Sequence, residues 1–172
     1  MKKTFWLGVG LGVLTLLLAA CGSNASMQHD SNSGMQHGSS MDMPMSDAPA
    51  AVVGTLEIYS PVAMSGMAGQ TTGGFMLIKN TGSAADRLVG ASCGAAMMTQ
   101  VHETVVENDV MKMREVTAIE IPAGGTVELK HGGYHIMLMD LKQDVKAGET
   151  ATCTLKFENA GEVTVELQVM SR

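Results

Sequence analysis

The chain has 172 residues, 45% of them hydrophobic but only 3% aromatic, with 16% charged and a formal net charge of −6; that length suits one compact domain and is too short for a large multidomain enzyme. The charge balance fits neither a disordered acidic tail nor a basic nucleic-acid binder, so nucleic acid is not an expected partner. Methionine is the anomaly: 15 of the 16 fall in residues 21–172 against 8 Leu and 2 Phe, so a pliable core filler outnumbers the usual core builders.

Lys2 and Lys3 precede an apolar stretch from Phe5 to Leu18 that ends in Leu18-Ala19-Ala20-Cys21. A basic start, a short apolar middle and small residues before a Cys resemble a bacterial lipoprotein signal, in which Cys21 becomes the lipidated first residue of the mature chain. The apolar run falls short of the ~20 residues that a spanning helix needs. Residues 1–20 are therefore expected to be a signal peptide, and the mature protein to lie outside the cytoplasm, in the periplasm or on the outer face of the cell membrane, held by a lipid anchor. Removal of the segment takes two lysines and no acid, so the mature formal charge is −8.

Residues 21–51 read as a flexible tether in which Ser, Asn, Gly, Asp, Pro and Ala dominate, with a random-coil reach of about 30 Å. Met-Gln-His occurs twice, at Met27–His29 and Met35–His37, and Met41, Met43 and Met45 follow. Thioethers need no deprotonation, and with imidazole they suit Cu(I) far better than Mg²⁺ or Ca²⁺. Met27, His29, Met35, His37, Met41, Met43 and Met45 are thus candidate auxiliary ligands; the alternative is low-complexity drift in a spacer, which composition alone does not separate from function.

From Ala51 onward the pattern turns to short β-rich runs: Val52–Tyr59, Phe75–Asn80, Arg87–Ser92, Met111–Val116, Thr126–Lys130, Tyr134–Leu141, Thr150–Phe157 and Glu162–Val169. Turn signals separate them, among them Thr71-Thr72-Gly73-Gly74, Asn80-Thr81-Gly82, His131-Gly132-Gly133 and Asn159-Ala160-Gly161. Such regular spacing predicts an all-β antiparallel sandwich or small barrel over residues 52–172. Met97, Val101, Val105 and Val106 would also fit a helical stripe, but the β-branched content around them favours a strand.

Three of the five His fall in this domain, His102, His131 and His135, with Met111 and Met113 on one run and Met137 and Met139 on another. Alternation along a strand lets His135, Met137 and Met139 project together while Ile136 and Leu138 turn to the core. If the two runs are neighbours, a soft-ligand patch forms where they meet. Taken singly, a strand Met is more often core packing and a strand His more often a hydrogen-bonded surface residue.

The joint spacing of His102, Met113, His135 and Met137, H-x10-M-x21-H-x-M, resembles the signature of the PCuAC family of periplasmic copper chaperones. The likeness extends to Val101-His102-Glu103, Met111-Lys112-Met113-Arg114, Ile121-Pro122-Ala123-Gly124-Gly125, the run from Gly132 to Met139, and Phe157-Glu158-Asn159-Ala160-Gly161, across roughly residues 52–169. It implies a cupredoxin-like antiparallel β-sandwich that binds Cu(I) through His102, Met113, His135 and Met137, with Met111 and Met139 in reserve. It also implies delivery to the copper centres of cytochrome oxidase, through a copper-accepting oxidase subunit or an intermediary assembly protein. Two imidazoles and two thioethers form a neutral set that leaves Cu(I) its single charge and lets it go more readily than a thiolate pair would.

Two features depart from that family's pattern: the Met/His-rich segment precedes the domain, and Cys93 and Cys153 stand where Ser or aliphatic residues are expected. With Cys21 lipidated, an even remainder in an oxidising compartment points to a disulfide across 60 residues, stabilising by about 4 kcal/mol on the chain-entropy model. The alternative is a reduced pair serving as a further copper or thiol-exchange site. Two other functional classes stay open, an electron-transfer copper protein and a metal-free structural sandwich. Enzymatic catalysis is not expected, because no nucleophile-base pairing or phosphate loop appears.

Overall fold

The computed structural model describes residues 47–172. The expected signal segment, Cys21 and the tether ligands Met27, His29, Met35, His37, Met41, Met43 and Met45 lie outside the described residues.

Among the described residues the regular elements are all strands: β1 (Ala51–Val53), β2 (Leu56–Met64), β3 (Thr72–Asn80), β4 (Asp86–Cys93), β5 (Ala96–Glu107), β6 (Val110–Glu115), β7 (Ile119–Ile121), β8 (Thr126–Leu129), β9 (Tyr134–Leu141), β10 (Thr150–Phe157) and β11 (Glu162–Met170). Period-two burial is clearest in β11, where Val165, Leu167 and Val169 are buried between exposed Thr164, Glu166 and Gln168. The strands join in the order β6-β5-β9-β8-β3-β2-β11-β10-β4-β7, with β1 on β2. Pairings are antiparallel except β11–β2 and β8–β9.

This unclosed path folds over on itself as a cupredoxin-like sandwich. The inward residues of nine strands meet in one core, for example Ile58, Ile78, Leu88, Val101, Ile136, Leu155 and Leu167. Each full burial of such a side chain contributes about 1.5–3 kcal/mol. The corner between layers is β3, whose first residues pair with β9 and whose later residues pair with β8.

The expected run Val52–Tyr59 is two strands, because Gly54 at φ +57° makes a two-residue turn and Val53 pairs back onto Leu56. Pro61 then sits in a bulge between Tyr59 and Val62, where no ladder N–H is required, and β2 continues to Met64. Gly73 and Gly74, expected to be turn residues, lie inside β3 at the corner.

Two buried polar residues are fully engaged. Asn80 Oδ1 accepts from Thr55 Oγ1 (3.0 Å) and Gly82 N–H (2.9 Å), while its Nδ2 donates to the Ala84 carbonyl (2.8 Å). Asp86 accepts from the backbone N–H groups of Arg87, Asn159 and Ala160 at 2.7–3.0 Å and so ties the start of β4 to the β10–β11 turn. Cys93 and Cys153 face each other in the β4–β10 ladder, both buried, and are joined by a disulfide.

Candidate metal centre

In the β5–β9 ladder Val101 pairs with Ile136 and both are buried in the core, so their neighbours His102 and His135, themselves paired, turn to the other face of the sheet. The two imidazole centroids are 5.9 Å apart and tilted by 54°. On the same face Met137 stands opposite Gln100, two residues from His102 in one direction. Met113 stands opposite Thr104, two residues away in the other. The strand bearing Met111 and Met113 is not a neighbour of the His135 strand, since β5 lies between them. The shared face arises across three strands, with His102 in the middle one.

Met113, His135 and Met137 line a cleft of about 390 Å³, together with Met64, Phe75, Met111 and His131. His102 adjoins it beside His135. Met139 pairs with Met98 farther along the face. Met64 and Phe75 belong, with Val62 behind them, to a small apolar cluster separate from the main core, and the Phe75 ring lies 6.4 Å from that of His135. Gly73 shapes this cluster: it pairs with Met137, and a Cβ on it would lie 2.7 Å from Phe75 Cζ.

Hydrogen bonds set the available nitrogens. His135, 5% exposed, has Nδ1 3.0 Å from the Gly133 carbonyl. A carbonyl only accepts, so Nδ1 carries the proton in this contact and Nε2 is left for a metal. His102 Nε2 lies 3.1 Å from Gln100 Oε1; with the amide so oriented Nε2 is the donor, and the buried Nδ1 carries a lone pair with no hydrogen-bond partner. Burial, reinforced by the neighbouring His135 and opposed by Glu115, pushes the His102 pKa below its ordinary 6.5, which favours the neutral ligand form.

Among the described residues no three His, Cys, Asp or Glu side chains cluster to hold a metal. The donors grouped here are imidazole nitrogen and thioether sulfur, a set suited to a soft cation and unsuited to Mg²⁺ or Ca²⁺. The spacing of the His and Met residues indicated this face, whereas Phe75, Met64 and Gly73 were missed. They come from strands distant in sequence, and nothing in their local pattern marks them.

The family described as "Putative lipoprotein LpqE-like" matches residues 55–169. The protein named "Putative lipoprotein Lxx21020" of Leifsonia xyli subsp. xyli (strain CTCB07) is 43% identical over 99 residues, which cover 57% of this chain and 60% of that relative. Among solved structures, the copper-bound PCuAC domain from PmoF2 superposes with a TM-score of 0.61 at 28% identity, over 71% of this chain and 97% of that one. The solution structure of CuI-DR1885 from Deinococcus radiodurans gives 0.53 at 29% identity, over 70% and 80%. With its sandwich of the PCuAC type, the chain belongs to the LpqE-like family.

Proposed function

We propose that this protein is an extracytoplasmic copper carrier, with Cu(I) as its cargo and His102, Met113, His135 and Met137 as the ligands. Residues 52–172 form the carrier domain, and Met111, which lines the same cleft, is the reserve donor, whereas Met139 lies farther along the face beside Met98. Residues 1–20 are a signal peptide, Cys21 is the lipidated residue that anchors the chain to a membrane, and residues 21–51 are a tether whose Met and His residues bind copper in an auxiliary way. The acceptor is a copper-receiving subunit of cytochrome oxidase or an assembly protein that serves it.

The observation that carries this reading is the buried, unpartnered His102 Nδ1 beside His135, flanked on the same face by two thioethers. An unsatisfied buried nitrogen costs about 1–3 kcal/mol unless something binds it. A Cu(I) ion would supply the partner, and the backbone that carries these neutral donors is already ordered in paired strands. The likeness to copper-bound and Cu(I)-bound domains supports the same cargo.

The electron-transfer reading needs a thiolate alongside two imidazoles and a weak axial Met. Cys93 and Cys153 are engaged with each other in the disulfide and lie on β4 and β10, away from this face. A metal-free sandwich would leave the His102 nitrogen without a reason.

The test is titration with Cu(I) held by a competing chelator. Wild type is expected to bind one Cu(I) tightly in the β-domain, and Met113→Ala or His135→Ala to weaken that constant by orders of magnitude. Wild-type affinity in both variants would overturn the ligand assignment. An intense visible band with Cu(II) would favour electron transfer instead.

A further inference from the structure

The same cleft carries two soft donors outside the proposed ligand set, Met111 and His131. Met111 and Met113 share one face of β6, opposite Val106 and Thr104, and are 60% and 56% exposed. β6 is exposed along its whole length, so these thioethers do not fill the core. His131 is an exposed residue of the turn between β8 and β9. That turn is pinned: Gly133 N–H donates to the Lys130 carbonyl at 3.1 Å, and the Gly133 carbonyl accepts from Thr104 N–H at 3.0 Å. Thr104 is the cross-strand partner of Met113. The hydrogen bond that fixes the His131 turn therefore fixes it beside Met113.

From this arrangement we infer that the cleft holds two Cu(I) positions in series, an inner one at His102, Met113, His135 and Met137, and an outer one at its mouth formed by Met111, His131 and the shared Met113. The inference rests on the carrier reading above. Its ligand class is a soft monovalent cation, since thioether and imidazole are its only donors. Passage between the positions is ligand exchange. The Met113 sulfur–copper bond persists while the bonds to His102, His135 and Met137 break and those to Met111 and His131 form. No electron moves, and thioethers and neutral imidazoles release no proton. The outer position adds exposed donors next to Met113 at the mouth, which an acceptor can touch although His135 is too deeply buried for a bulky partner to reach. Exposed side chains must give up rotamer freedom to bind, so the outer position holds copper more weakly than the inner.

The experiment follows the His ring and Met methyl resonances of the full chain as Ag(I), a redox-inert stand-in, is added. The first equivalent is expected to shift His102, Met113, His135 and Met137, and a later one His131 and Met111. His131→Gln should keep first-equivalent affinity at the wild-type value, remove the Met111 response, and slow the loss of Cu(I) to bicinchoninate severalfold. If the inner four respond but His131 and Met111 never do, or if His131→Gln releases Cu(I) at the wild-type rate, the outer position is overturned and the carrier reading stands. If the inner four do not respond to the first equivalent, the carrier reading itself fails and takes the outer position with it.

Discussion

Gly73 shows how one missing side chain can shape a site. Any Cβ there meets the tip of the Phe75 ring, 6.4 Å from that of His135, so Gly73→Ala must displace the ring or push β3 from β9. Overpacking of this kind costs about 1–3 kcal/mol. The expected outcome is a lower denaturant midpoint together with a changed His135 ring environment and weaker Cu(I) binding; unchanged values of all three would remove Gly73 from the site. Asp86 acts at the same scale but on stability. Burial works to raise its pKa, yet the backbone N–H groups of Asn159, Arg87 and Ala160, with the Asn159 amide, more than offset this and hold it below the ordinary 3.8. With the folded value below the unfolded one, the stabilisation is complete above 3.8 and fades as the pH falls through the folded value. Asp86→Asn should therefore cost about 1–3 kcal/mol at neutral pH, with the gap from wild type narrowing in acid. Unfolding curves at the two pH extremes check the sign.

Between strands, the β5–β6 hairpin carries His102 and Met113 of the proposed site, and its β6 strand is exposed along its whole length. It closes through Asn108 and Asp109, at φ 52° and 61°, with Glu107 paired to Val110. Two consecutive left-handed residues make the type I′ geometry that Asn-Gly adopts best. Asp109→Gly is expected to stabilise the hairpin by about 0.5–1 kcal/mol, seen as slower amide exchange along β6. Faster exchange would mean that the Asp109 side chain anchors the turn.

The strand runs were legible because inward and outward residues alternate: Ile136 and Leu138 are fully buried, as their place between His135, Met137 and Met139 predicts. Partner choice was not. Nothing in Met111–Glu115 tells that β5 will separate it from β9, since pairing order is decided by how the whole sheet folds over its core. β7 was too short for a period to show. Gly73 and Gly74 read as a turn because glycine permits both a turn and a tight strand corner, and the close approach that needs glycine, of Phe75 at Gly73 and Leu167 at Gly74, exists only in the folded sheet.

For the molecule as a whole, the Cys93–Cys153 bond joins β4 to β10 across 60 residues; Cys93 N–H donates to Thr99 Oγ1 on β5, but neither cysteine lines the His/Met cleft. Cys93→Ser with Cys153→Ser should lower unfolding free energy by about 4 kcal/mol while leaving Cu(I) affinity intact. A parallel loss of affinity would show that the bond holds the metal face in shape.

That cross-link also makes the domain's lifetime depend on its surroundings. In an oxidising space the closed form is held by about 4 kcal/mol that a reducing one withholds, close to a thousandfold difference in the population open to a protease. Where opening and closing outpace cleavage, degradation follows that population. A copy stranded among thiol reductants would be cleared quickly, and one that had reached an oxidising space would persist, so the same bond that braces the sandwich also records where the chain has been.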